Sequence, residues 1–295
     1  MHLRIGTRRS PLALAQANEV AEMLRREGHE AELVPILTAG DRGAIADGSP
    51  AGVKGLFVAE ITDALLRGDV DLAVHSAKDL PVEDPEGIVV AAVPPRADPG
   101  DVLVSRDGGL AAGAVVGTSS LRRRAQLRRS RPGLLVRDLR GNVETRLGKV
   151  EAGEVDAVVL AAAGLARLGI SPANAEPLPT EEMVPAPGQG ALAIQARKGS
   201  EGMEAAAALD DAPSRRAFAT ERGLVRRVGG GCRLPLGAFA VAGPAGLRLV
   251  AVVARPDGTG LLRAEAEGTE PEDVAAAAAE ELLAGGAERI LREAT

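Results

Sequence analysis

Four short stretches of the chain carry residue types and spacings that can do chemistry. In the first, Gly117-Thr118-Ser119-Ser120-Leu121-Arg122-Arg123-Arg124 follows a β-like Val115-Val116 pair and precedes a helical pattern. Hydroxyl residues there cap a helix, whose first amides are unsatisfied donors with a positive dipole behind them. Helical side chains lean toward the N-terminus, so Arg122 and Arg123 can converge on one spot, and arginine grips carboxylates bidentately. These features predict an anion site, whereas Arg128, Arg129 and Arg131 read as a solvated basic face. In the second, Arg137-Asp138-Leu139-Arg140-Gly141-Asn142 leaves a strand and enters a helix bearing Arg146 and Lys149. A further anion site and an exposed helix with intrahelical pairs such as Glu144 to Arg140 both fit it. In the third, a buried strand, Asp71–His75, runs directly into Ser76-Ala77-Lys78-Asp79-Leu80-Pro81, where open α/β sheets place ligands. Asp79 reads either as a helix cap or Lys78 partner, or as a catalytic carboxylate. In the fourth, Gly229-Gly230-Gly231 sets Cys232 on a backbone with little steric constraint, suited to presenting sulfur to something bulky. A small buried hydrophobe is the plainer role for a lone cysteine.

The elements that must position these groups are legible from periodicity. Across the first two thirds, strand-like and helix-like pieces alternate, which predicts an α/β fold. A short apolar run at Leu3–Gly6 leads into Ser10-Pro11, a cap and first helical residue, and a helix with Ala13, Ala17, Val20 and Leu24 on one face. Glu32–Leu37 reads as a strand and Leu56–Leu66 as a helix. The stretches Pro94–Gly100 and Pro185–Gly190 are punctuated by Pro and Gly, as linkers are. If both are crossings between the same two domains, the chain leaves one α/β lobe, builds a second and returns, with a cleft between the lobes. The last third changes character: a basic amphipathic helix at Ser214–Val228, strand-like runs near Arg233–Ala242, Leu247–Ala254 and Gly260–Gly268, then a helix opened by Pro271. That αβββα order predicts a small α+β domain. The expected division is 1–94 with 188–208, then 95–187, then 209–295.

Composition narrows the function classes. The 295 residues are 45% hydrophobic, 26% charged and only 1% aromatic, without Trp or Tyr, so base-stacking platforms for single-stranded nucleic acid are nearly excluded. A net charge of −6 argues against polyanion binding by the chain as a whole. One segment inverts this balance: Val115–Lys149 holds nine arginines and one lysine against Asp138 and Glu144. The N-terminus lacks a signal-peptide pattern, and no apolar run approaches a membrane span. Cys232 is the single cysteine, and His2, His29 and His75 lie far apart, so neither a disulfide framework nor a metal centre is expected. A reducing cytoplasm is the expected compartment.

HSAKDLP, GTSSLRRR, LRGNVETRL, PAPGQGAL and GGGCRLPLG, in this order, resemble the motif series of porphobilinogen deaminases. So do the opening RIGTRRSPLALAQ and LVPILTAGD ending at Asp41, and the resemblance runs from Leu3 to beyond Gly237. It implies two lobes like those of periplasmic binding proteins, with a double crossover, plus the small C-terminal domain. It implies a cytoplasmic, monomeric transferase that joins four porphobilinogen molecules into linear hydroxymethylbilane, with no metal, membrane or nucleic-acid partner. The cofactor implied is a dipyrromethane thioether-linked to Cys232. The matching positions imply Asp79 as catalytic carboxylate, and Lys78, Asp79, Ser120, Arg122, Arg123, Arg140 and Gly141 as cofactor contacts. They imply Arg8, Ser10, Gln16, Lys54, Phe57, Arg146 and Arg167 as substrate contacts. One departure concerns the loop before Lys54, which reads Asp47-Gly48-Ser49-Pro50-Ala51-Gly52 and lacks a second lysine that some members carry. A non-catalytic binding protein for a small carboxylate, built on the same two lobes, is the rival reading. It leaves the glycine-flanked Cys232 without a use, and acidic Ehrlich reagent distinguishes the two by colour.

Overall fold

In the computed structural model, which describes residues 1–38, 58–229 and 234–294, the chain opens on strand β1 (His2–Arg8). Helix α1 (Pro11–Arg26) follows at once. Ser10 caps it, its hydroxyl accepting from the Ala13 N–H at 3.3 Å, and Pro11 takes the first helical position, where a missing N–H costs nothing. Ala17, Val20, Ala21 and Leu24 recur at helical spacing and are buried with Leu3, Ile5, Leu72 and Val74. Truncating Leu24 to Ala in such a core costs about 2–5 kcal/mol. Beyond the helix end, Gly28 has φ +82°, a conformation that favours glycine.

Strands β2 (Glu30–Ile36) and β3 (Leu72–Ser76) pair in parallel with β1 on either side, and α2 (Ala59–Arg67) lies between them in sequence. Strand β4 (Ile88–Ala92) is on the far edge. Between β3 and β4 sits β10 (Leu192–Arg197), antiparallel to both, to give the order β2-β1-β3-β10-β4. Helix α6 (Glu201–Ala207) covers part of this sheet.

The second sheet follows the same plan. Strand β5 (Asp101–Ser105) enters first, followed by β6 (Val115–Gly117), α3 (Leu121–Ser130), β7 (Leu135–Arg137) and α4 (Val143–Glu151). Strand β8 (Ala157–Ala161), α5 (Ala162–Arg167) and β9 (Ala175–Leu178) complete it. The order is β7-β6-β8-β5-β9, with β6, β7 and β8 parallel and β5 antiparallel to both β8 and β9. Side chains alternate across it as strand geometry requires. Val102, Val104, Val158 and Leu160 fill one core, and Leu103, Val116, Ala157 and Val159 fill another.

Two compact units account for the chain: Met1–Arg96 with Ala191–Phe218, and Ala97–Gly190 with Ala219–Thr295. Each return of the chain to a new unit therefore delivers an antiparallel strand, β5 after Arg96 and β10 after Gly190. Helix α7 (Ala212–Arg227) carries the chain across a third time. The C-terminal elements form the expected αβββα series. Strands β11 (Leu236–Gly243), β12 (Gly246–Ala254) and β13 (Leu261–Gly268) make an antiparallel meander, followed by α8 (Pro271–Ala284) and α9 (Ala287–Glu293). This sheet shares a unit with the second lobe: the Ala238 N–H donates to the Pro185 carbonyl at 2.9 Å, and Val250 and Val252 pack with Val184. Among the described residues, no helix is long and apolar enough to cross a membrane.

Candidate active-site residues

In the first lobe, parallel pairing of Ile5 with Leu72 and Gly6 with Ala73 brings the carboxyl ends of β1 and β3 to one edge. Arg8 ends β1, half-buried, and Ser10 opens α1 two residues later. Gln16, one turn and a half into that helix, is buried. From β3 the chain enters a single 3-10 turn, Ala77–Asp79. Lys78 is half-buried and Asp79 exposed; among the described residues the Asp79 side chain makes no hydrogen bond or ion pair. It is neither a helix cap nor a partner of Lys78. Just before this turn, His75 is buried, and among the described residues its Nε2 has no hydrogen-bond partner. Burial, helped by the charge of Arg8, lowers its pKa to about 4.

In the second lobe the ends of β6, β7 and β8 share an edge in the same way. Ser120 caps α3, its hydroxyl accepting from the Arg123 N–H at 3.3 Å. Ser119 ties this turn to the next strand's end, donating to the Leu139 carbonyl at 2.6 Å. A Cβ on Gly117 would crowd the Leu139 side chain, which would have to shift. Asn142 caps α4 by accepting from the Thr145 N–H at 2.7 Å. Gly141 has φ +127°, and a Cβ on it would lie 2.8 Å from Thr145 Cγ2.

The arginines of this edge fall into distinct environments. Arg122 and Arg123 are buried, at 4% and 6% exposure, and both meet one carboxylate, Asp101. Arg122 Nη1 also donates to the Val184 carbonyl at 2.7 Å, and Arg123 Nη1 to that of Val159 at 2.8 Å. Burial pushes the Asp101 carboxyl up, but the two guanidiniums more than reverse this and hold it below the usual carboxylate range. Burial lowers the pKa of Arg122, opposed by Asp101 and reinforced by Arg123. Arg146 is half-buried, and its pKa is lowered by burial first and the charge of Arg123 second. Among the described residues, the Nε atoms of Arg122 and Arg146 are buried without a partner. Arg140 is exposed, with its Nε 3.6 Å from Asp138 rather than paired with Glu144. Arg167, at the end of α5, donates to the Gly190 carbonyl at 3.1 Å.

Two arginines read as solvated are structural. Arg131 bridges Glu176 and Glu182, both at 2.6 Å, and Arg128 donates to the Pro256 carbonyl at 3.1 Å, anchoring the β12–β13 turn. The positive segment is therefore partly neutralised by partners outside Val115–Lys149. Sequence reading missed Asp101, although a lone carboxylate opening the apolar strand Asp101-Val102-Leu103-Val104 was a visible signal. Lys54, Phe57 and Cys232 lie outside the described residues.

The donor set suits a ligand rich in carboxylates. Arg122 and Arg123 share one buried carboxylate at the start of α3, the charge of Arg123 also acts on Arg146, and among the described residues the Nε atoms of Arg122 and Arg146 lack acceptors. Such a group calls for further negative charge.

Comparisons with known proteins identify the family. Residues 3–205 match the family model described as porphobilinogen deaminase, dipyromethane cofactor binding domain, and residues 216–284 match the porphobilinogen deaminase C-terminal domain. A porphobilinogen deaminase of Rubrobacter xylanophilus is 51% identical over 98% of this chain and 96% of its own. One of Brevibacillus brevis is 45% identical with the same coverage, and one of Acidothermus cellulolyticus is 46% identical over 98% and 91%. Among solved structures, the methionine binding protein MetQ aligns with a TM-score of 0.45 and 13% identity over 70% of this chain and 89% of that one. With two family models covering most of its length and relatives near half identity, the chain belongs to the porphobilinogen deaminase family.

Proposed function

We propose that the chain is a hydroxymethylbilane synthase, a transferase that joins four porphobilinogen molecules head to tail and releases the linear tetrapyrrole by hydrolysis. The observation that carries this is the arginine group at the start of α3, poor in counter-charge, in a chain of this family. The dipyrromethane, when bound through Cys232, supplies the primer to which the first substrate is joined. Lys78, Ser120, Arg122, Arg123, Arg140 and Gly141 hold its carboxylates and backbone-facing edge. Arg8, Ser10, Gln16, Lys54, Phe57, Arg146 and Arg167 receive substrate.

Asp79 is the catalytic carboxylate in this proposal. Loss of ammonia from porphobilinogen makes its pyrrole ring cationic, and a carboxylate beside the ring N–H lowers the energy of that charge as it develops. Exposed and without a partner among the described residues, Asp79 has its acceptors open for that bond, and it can assist proton movement at the amine and the α-carbon. Each added ring brings two carboxylates, which gives successive arginines successive partners. The proposal includes a division into three domains, 1–94 with 188–208, 95–187 and 209–295, and a cytoplasmic monomer, which sedimentation of the purified protein tests. The rival reading, a non-catalytic carboxylate binder, is not favoured by the relatives.

Intact-protein mass is the experiment. Purified protein is expected to exceed its sequence mass by one dipyrromethane, and Cys232→Ala to lack the increment. An unmodified wild-type mass, from a host able to supply the cofactor, overturns the assignment.

A further inference from the structure

Asp101 is the first residue of β5, and its side chain is closed off from solvent. Four hydrogen bonds converge on its two oxygens. Arg122 Nη1 donates at 2.8 Å, Arg123 Nη2 at 2.7 Å, Arg123 Nε at 3.1 Å and Gln189 Nε2 at 2.8 Å. The arginines come from the first turn of α3. Gln189 comes from the segment by which the chain leaves this unit, and its amide also reaches the Pro99 carbonyl at 2.7 Å. Neighbouring Gly190 completes the junction, its carbonyl accepting from Ala97 N at 3.3 Å and from Arg167.

One carboxylate thus serves two adjacent guanidiniums and leaves the group positive. Without it, two cations in a desolvated setting repel and lose their common direction. With it, both long side chains are held before any ligand arrives, so that less ordering is charged against binding. We infer that Asp101 is a positioning residue: its carboxylate orients Arg122 and Arg123 for anionic ligand groups and, through Gln189, links that orientation to the segments where the chain enters and leaves this unit. This rests on the reading that Arg122 and Arg123 serve pyrrole carboxylates.

The test uses full-length variants supplied with limiting porphobilinogen, with intact masses read for cofactor loading and for the ladder of added rings. Arg122→Leu and Arg123→Leu establish whether each arginine matters for cofactor loading, at a particular rung, or both. Asp101→Asn is expected to stall at those same rungs, with that step slowed roughly tenfold or more, as loss of a charge-assisted hydrogen bond predicts. Its cofactor-loaded fraction is expected to fall as well. Leu103→Ala, a buried neighbour on β5, controls for simple destabilisation and is expected to elongate through every rung. Gln189→Met leaves no charge uncompensated and stays usable if Asp101→Asn fails to fold; it is expected to slow the same rungs by about threefold. A ladder like that of Leu103→Ala, in Asp101→Asn or in Gln189→Met should the first not fold, overturns the positioning role. Wild-type cofactor loading and wild-type ladders in both Arg→Leu variants overturn the underlying anion-site reading instead.

Discussion

Glu221 Oε2 accepts the backbone N–H of Gly188 at 2.6 Å, and Oε1 of the same carboxylate accepts that of Ala240 at 2.7 Å. The side chain is fully buried, so one acidic residue of α7 fastens β11 to the segment just before the chain returns to the first unit. Glu221→Gln keeps the shape but replaces one charged acceptor oxygen with a donor that faces an N–H. Loss of a buried bond to a charged group costs about 1.5–3 kcal/mol, and the urea midpoint is expected to fall accordingly. An unchanged midpoint shows that the fastening is dispensable.

Gly190→Ala tests the junction from the backbone side. At φ +85° the residue is in glycine territory, and a Cβ would collide with the Ala97 carbonyl. Gly28 has nearly the same φ, +82°, with nothing within 4 Å. Gly28→Ala should therefore cost only the backbone strain, about 1–2 kcal/mol. Gly190→Ala adds backbone displacement to that strain and should cost measurably more in paired denaturation curves. Equal losses at the two positions mean that the junction yields freely.

For Asp79 the expectation separates function from folding. The side chain is exposed and, among the described residues, without a partner, so Asp79→Ala should melt within about 0.5 kcal/mol of wild type. Turnover should fall on the order of 10²–10⁴-fold, the usual loss for a catalytic acid–base group. Near-normal turnover transfers the role to another residue.

Local signals in the chain carried much of this. Ser10-Pro11 predicted the start of α1, and apolar spacing predicted its buried face, because caps and periodicity depend on neighbours in sequence. The alternation of elements predicted an α/β fold, and Pro94–Gly100 and Pro185–Gly190 stood out by composition as candidate crossings between two lobes. What escaped was through-space pairing. Arg131 reads as a surface cation until Glu176 and Glu182, some fifty residues away, close on it. Arg122 and Arg123 read as open anion binders, whereas the fold brings Asp101 between them from the other side of β6 in sequence. A charge count over a window cannot include a counter-ion that only a sheet brings near. Strand direction escaped for a similar reason: β5 and β10 are antiparallel because each follows a crossing, and nothing in a short apolar run encodes that.

His75 gives a prediction in pH. In the folded chain its pKa is lowered to about 4, by burial first and the Arg8 charge second, against about 6.5 for an unfolded histidine. Between these values the unfolded chain binds a proton that the folded chain refuses. The stability this neutral imidazole protects is thus fully present above about pH 6.5 and is lost progressively as pH falls toward 4. From pH 7 to pH 5 the loss attributable to His75 is about 2 kcal/mol. His75→Phe keeps a ring of similar size, removes the proton site and relieves the unpartnered Nε2. Denaturation midpoints at pH 7, 6 and 5 should slope downward in the wild type and much less in the variant. Parallel slopes in the two proteins mean that His75 protonates in the folded state near its ordinary pKa, and that its buried place on β3 opens to admit the charge.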